Sequence, residues 1–296
     1  MNIVTVLLSL LGVMYLLSCK QKPSISTAVG DSLLWEVSGN GLKQPSYFLG
    51  TMHMMCAEDA RLSESTKSII EYVKHVYLEV DLDNAGELLS AALELTNKSQ
   101  DELTTVLSAS EYDRVRTFFE FHQPQMPFAV LEKQHPLMLA SSLYELFLTC
   151  EKKNGVELVL VEEASRQNKE IKGLETMAFQ ASIFHAIPYE EQAKELVKAI
   201  DSIPQQKKLM DEMVSIYKQQ DINKLYELTT REEAGTAAYT DVLLHDRNKN
   251  WVKQFDTIAS KHSTLFAVGA GHLGGPMGVV ELLRKKGYSL RPLKNN

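Results

Sequence analysis

Two strand-like runs, Ser46 to Leu49 and His75 to Val80, flank a stretch from Ala57 to Lys74 that has a polar face and apolar Ile69, Ile70 and Val73. A helix between two short strands has the spacing of a crossover, which predicts parallel pairing in an α/β sheet. Further strand-like runs are Leu33 to Val37, Leu158 to Val161, Glu170 to Gly173, Thr264 to Val268 and Tyr288 to Leu293. Helical periodicity fills the intervals. It places Leu88, Leu89, Ala92 and Leu95 on one face, adds an apolar run from Leu137 to Leu148, and continues from Thr176 to Lys261 with breaks near Pro188 and Pro204. Shorter helices are expected at Glu162 to Asn168 and Pro276 to Lys286. The pattern predicts one α/β domain over residues 31–296, with a mixed, partly parallel central sheet and a large helical insertion in blocks near 84–153 and 176–261. No repeat of 20 to 50 residues is present.

Composition narrows the class further. With 44% hydrophobic residues, 15 Gly and 9 Pro in 296 residues, the chain is neither collagen-like nor wholly disordered. Its 31 Lys and Arg against 38 Asp and Glu give a net charge of -7, which argues against a nucleic-acid partner, because gripping phosphates requires a basic surplus.

The first 18 residues carry no charged side chain, and Ile3 to Leu17 is short for a membrane span but suits the apolar core of a signal peptide. The ending Leu16-Leu17-Ser18-Cys19 resembles the lipobox of bacterial lipoproteins. That resemblance implies removal of residues 1–18, lipidation at Cys19, and tethering to the cell-envelope membrane outside the cytoplasm through a linker over 19–30; an uncleaved anchor is the alternative. Cys56 and Cys150 then remain, and they can form at most one bridge.

Two strand ends deliver the same short motif, Gly50-Thr51-Met52-His53 and Gly269-Ala270-Gly271-His272. Ligand crevices of open parallel sheets lie beyond the carboxyl ends of the strands, so both imidazoles are expected there, on Gly turns. A third strand runs Tyr77-Leu78-Glu79-Val80-Asp81 and brings carboxylates to the same edge. Two neutral imidazoles and a carboxylate suit a divalent metal, which with an open position lowers the pKa of bound water. The alternative is a pair of merely hydrogen-bonded strand-end histidines; the other six histidines read as surface or core.

Competing motifs are weaker. Gly269-x-Gly271-x-x-Gly274 has the form of a dinucleotide-binding turn, but the strand after it carries no acidic residue and too little chain follows for a complete nucleotide-binding half. His-Glu-x-x-His, Gly-x-Ser-x-Gly and phosphate-binding Gly-Lys-Ser/Thr sequences are absent. Cys56, three residues after His53, reads as a passive thiol rather than a nucleophile.

The chain resembles the TraB/PrgY/GumN family, related to the Tiki proteases. The resemblance rests on Ser46-Tyr47-Phe48-Leu49-Gly50-Thr51-Met52-His53, Leu78-Glu79-Val80-Asp81, Gly173-Leu174-Glu175-Thr176, Asp246-Arg247-Asn248 and Val268-Gly269-Ala270-Gly271-His272-Leu273-Gly274-Gly275-Pro276, in the family's order. It implies a fold of two related halves and a metal-dependent hydrolase or peptidase site, carried here by His53, His272, Glu79 and Arg247. Arg247 would orient substrate or hold an oxyanion, with Asn248 beside it, or form a structural ion pair. Glu175 either joins the substrate site or, as favoured, caps the following helix. Glu162 and Glu163 read as first-turn acids of theirs. The expectation is a membrane-tethered hydrolase of peptide or amide bonds using a divalent metal (Mn, Co or Zn), with His53, His272 and Glu79 as ligands. The alternative is a non-catalytic protein sequestering a peptide or small signal in the same crevice.

Overall fold

The computed structural model describes residues 21–28, 30–82, 84, 86–87, 102–231 and 237–295. Cys19, the apolar leader and the face Leu88, Leu89, Ala92 and Leu95 lie outside the described residues.

The strands β1 (Leu34–Ser38), β2 (Ser46–Thr51), β4 (His75–Leu78), β6 (Glu170–Gly173), β7 (Thr264–Gly269) and β8 (Ser289–Pro292) form a six-stranded sheet in the order β6-β4-β7-β2-β1-β8. A second ladder joins β3 (Met55–Cys56) to β5 (Lys153–Asn154). β6, β4, β7 and β2 run parallel, whereas β1 is antiparallel to both β2 and β8. The fold is therefore α/β with a mixed, mostly parallel sheet, as the strand spacing predicts. The crossover helix Glu64–Tyr72 is present, its N-terminus capped by Ser63 Oγ accepting from Thr66 N–H. The strands it connects are parallel but not neighbours, because β7 pairs with both and separates them.

Position in the sheet explains composition. β2 is buried along its length, and β7 along all but its last residue, so both read as continuous apolar runs. Phe48 of β2 stacks on Phe266 of β7 at 4.9 Å, and Phe255 closes over both rings. Burying each such ring contributes about 2 to 3 kcal/mol. Nearer the sheet edge the mostly buried Glu36 on β1 is neutralised by Arg291 of β8 (3.1 Å) and Lys22 (2.8 Å).

Helices fill the two intervals expected. Ala109–His122 and Pro136–Ser142 lie between β4 and β5; Tyr189–Asp201, Ile203–Gln219, Ile222–Thr229 and Asp246–Ala259 lie between β6 and β7. Pro204 sits in the first turn of its helix, where a missing N–H goes unnoticed. The terminal helix is shorter than expected, Val279–Lys285.

One predicted strand is wrong. Leu158 to Val161 lies inside the helix Val156–Arg166, which buries Val156, Leu160 and Ala164 at four-residue spacing. Glu162 and Glu163 therefore stand in its later part, not its first turn, and Glu163 accepts from Arg166 and Gln167. Cys56 and Cys150 form a disulfide with Cα atoms 5.8 Å apart, which removes the thiol altogether. Among the described residues no helix is long and apolar enough to cross a membrane.

Candidate active site at the strand ends

Four parallel strands direct their carboxyl ends to one edge, and each is followed by a site residue. His53 follows β2, Glu79 follows β4, Glu175 follows β6, and His272 follows β7. They meet around Gly269. A Cβ there would lie 3.2 Å from Glu79 Oε1 and 3.6 Å from both His53 Nε2 and His272 Cδ2, so a larger residue would crowd the Glu79 carboxylate. The structure thus brings together both Gly-x-x-His motifs and the strand-end glutamate.

Each imidazole is held by its Nδ1. Asn248 Nδ2 donates to the carbonyls of Met277 and His272, which leaves its Oδ1 to accept from His272 Nδ1–H at 2.7 Å. The Glu157 carboxylate pairs with His53 Nδ1, also at 2.7 Å. In both rings Nε2 is left as the atom facing the centre, the arrangement by which an outer partner fixes the tautomer of a metal-binding histidine. Gly155 permits the His53 contact, since a Cβ on it would stand 2.5 Å from the His53 carbonyl.

The helix Asp246–Ala259 supplies the cation. Arg247 Nη2 donates to Glu79 Oε2 (2.5 Å) and Glu175 Oε2 (2.9 Å), Nε donates to Glu175, and Nη1 faces the Leu243 carbonyl (3.1 Å) and His272 Nε2 (3.3 Å). One turn on, Trp251 donates its indole N–H to Glu175 Oε1 (2.9 Å), lies under the guanidinium and packs on the His272 ring. Glu175 is buried within this network and Thr176 is the helix cap, accepting from Phe179 N–H, so the favoured capping role of Glu175 is overturned. Asn248 is buried behind His272, and Gln180 donates to both Glu79 and Glu175. Glu157, Trp251 and Gln180 have no counterpart in the sequence reading. Glu157 is a first-turn acid after a glycine, a signal masked by reading its helix as a strand.

These contacts set the charges. Burial opposes ionisation of Glu79, but Arg247, the two histidines and the Gly269 N–H (2.7 Å) hold its carboxyl well below the usual carboxylate range. Burial, with Arg247 and His53 nearby, pushes His272 down to about 3, against the pull of Glu79, so the ring is neutral. The protein groups packed around His53 partly desolvate the ring and oppose its charge, yet the Glu157 carboxylate outweighs them and raises the ring to about 9. The His53 side chain is 72% exposed, so solvent screens part of that attraction.

A divalent ion suits the donor types, but to bind it would displace the proton that Glu157 favours on His53 and the Arg247 N–H that now faces His272 Nε2. Two imidazole Nε2 atoms face the centre, and Glu79 Oε1, which accepts from Gly269 N–H, keeps a second lone pair. His272 Nε2 stands 3.9 Å from that oxygen. As the side chains stand, no three His, Cys, Asp or Glu among the described residues are close enough to enclose an ion. Two cavities flank the cluster: one of about 330 Å³ lined by His53, Glu79, Glu157 and Gln180, and one of about 280 Å³ running from His53 to His272.

A mostly parallel sheet with both Gly-x-x-His motifs, the glutamate and the arginine at one edge defines an α/β protein with a polar cluster at its strand ends. The chain belongs to the TraB/PrgY/gumN family, whose sequence profile matches residues 33–292. It is similar to the Metalloprotease TIKI2 of Danio rerio, 21% identical with 88% of this chain and 60% of that protein aligned. It is also similar to the Metalloprotease TIKI homolog of Amphimedon queenslandica, 23% identical over 90% of this chain and 62% of that protein. The chain thus spans about three-fifths of these relatives. No solved structure matches it.

Proposed function

We propose that this protein is a metal-dependent hydrolase of peptide or amide bonds, acting outside the cytoplasm and tethered through Cys19. The observation that carries the reading is the pair of imidazoles, each paired at Nδ1 with a side chain from another element and both brought around Gly269 beside Glu79. The similarity to proteins named metalloproteases supports the same chemistry. The Cys56–Cys150 bridge supports an oxidising compartment.

His53, His272 and Glu79 would hold the ion, which when bound polarises a carbonyl and lowers the pKa of water. Glu157 and Asn248 orient the two rings. Glu79 stays ionised far below neutral pH, which suits a ligand and makes it a weak proton acceptor. Arg247 holds Glu79 in place. Its Nε and Nη2 donors are committed to Glu79 and Glu175, so its part is positioning.

The test measures bound Mn, Co and Zn, circular dichroism and cleavage of a peptide library for the full chain and its His53→Ala and His272→Ala variants. Both are expected to lose metal and turnover. His53→Ala is the cleaner case, because its exposed ring can be removed without opening the core. Full turnover in a folded His53→Ala protein overturns the mechanism.

A further inference from the structure

The cavity of about 280 Å³ between His53 and His272 has walls of a different character from the rest of the site. Its described lining contains no Asp, Glu, Lys or Arg. Met52 and Met54 flank His53, while Met210 and Met213 reach in from the helix Ile203–Gln219, so four of the chain's 11 methionines converge here. Two of its wall hydroxyls are engaged elsewhere. Tyr217 OH donates to the Gly50 carbonyl (3.0 Å) and Thr229 Oγ1 to the Leu225 carbonyl (2.7 Å), so neither hydroxyl proton is free for a ligand. The neighbouring cavity, which shares His53, is lined instead by Glu79, Glu157 and Gln180.

We infer that the methionine-walled cavity is a side-chain pocket that seats one apolar residue of the substrate, of the Leu, Met or Phe class, beside the bond held at His53 and His272. This deepens the hydrolase reading and rests on it for what the bound chain is. Position carries the inference: both histidines are themselves part of the wall, so a side chain in the pocket has its own backbone at the imidazoles. Size agrees, since at about 280 Å³ the cavity sits at the small end of the range of about 300 to 1,000 Å³ typical of specific sites and accommodates a Leu, Met or Phe side chain. Chemistry agrees too. Desolvating an ammonium or carboxylate against unpartnered carbon is costly, whereas thioethers adapt to several apolar shapes. Selectivity is therefore broad among apolar side chains and strict against charged ones, by about tenfold or more in kcat/KM.

Two measurements on the full chain in lipid nanodiscs separate this inference from the hydrolase reading. In the first, methyl-13C methionine resonances are followed during titration with N-acetyl-leucinamide and N-acetyl-lysinamide. The inference expects the leucine amide alone to shift the signals of Met54, Met210 and Met213, and expects Met213→Lys to abolish the shift. Equal responses to both amides, or none, overturn it whatever the turnover. In the second, cleavage positions are read from a degenerate peptide library. Leu, Met or Phe beside the cut supports the pocket, and Met213→Ala is expected to move the preference toward Phe. Cleavage without that preference overturns the pocket and leaves the hydrolase standing. Leucine-amide binding without cleavage of any peptide leaves the pocket standing and overturns the hydrolase. Met213 is only partly buried, so both variants are expected to fold, with circular dichroism as the check.

Discussion

Arg247 has five N–H donors, and the structure supplies each with an acceptor in Glu79, Glu175, the Leu243 carbonyl and His272 Nε2. A residue so engaged, with a 10% exposed side chain, holds the site together rather than meeting a substrate carboxylate. Arg247→Ala is expected to lower the unfolding free energy by about 3 to 5 kcal/mol, because it strands two buried carboxylates. Urea denaturation at neutral pH reads this directly; a change within about 0.5 kcal/mol would mark a surface-like role instead. His53, Glu79 and His272 were legible in the sequence because each follows a strand, and a parallel strand's end is where such sheets expose chemistry. Glu175 was misread because an acid before a helix is ordinarily a cap, and only the fold shows that its neighbour Thr176 takes that place. Glu157 was illegible because its partner His53 comes from a distant part of the chain.

Among the elements, the failure at Leu158 to Val161 has a plain cause. A run of four apolar residues fits a buried strand or about one turn of buried helix equally well, and periodicity cannot separate them. The small β3–β5 ladder was equally hidden, two residues per strand being too few for a pattern. That ladder is nevertheless what steadies the loop after His53. It is clipped by the Cys56–Cys150 bridge across a separation of 94 residues, and Val156 N–H donates to the Met52 carbonyl beside it. Reduction, or Cys150→Ser, is expected to destabilise the protein by about 2 to 5 kcal/mol on the loop-closure argument. Because the bridge lies three residues from His53, metal affinity is expected to fall as well. A thermal melt and a metal titration, each with and without reductant, check both expectations.

For the molecule as a whole, acid should be destabilising through its buried histidines. His135 is 3% exposed, neither ring nitrogen has a hydrogen-bond partner, and it stacks edge-on against His185 at 4.7 Å. Burial, with His185 adding to it, lowers its pKa, so below about pH 6.5 the unfolded chain takes up a proton that the folded one resists. Stability present at neutral pH is therefore lost as pH falls below that point. His272 acts in the same direction. His135→Leu, which removes an unpartnered polar ring, is expected to flatten this acid limb and leave stability at pH 7 equal or higher, as urea titrations at pH 7 and 5 would register. A steeper limb in the variant would contradict it. The mixed α/β class followed from strand spacing alone, but strand order did not. Nothing local in residues 264–269 says that they pair between β2 and β4, since that depends on which exposed edges remain when they arrive. Order of synthesis gives this arrangement its consequence. The middle of the sheet is furnished by a segment made after every other strand except β8, so until then the edges of β2 and β4 are open and His53 and Glu79 have no shared wall. Chains stopped short of residue 264 should accumulate as sticky, inactive intermediates, and the site should appear in a single late step rather than grow by stages.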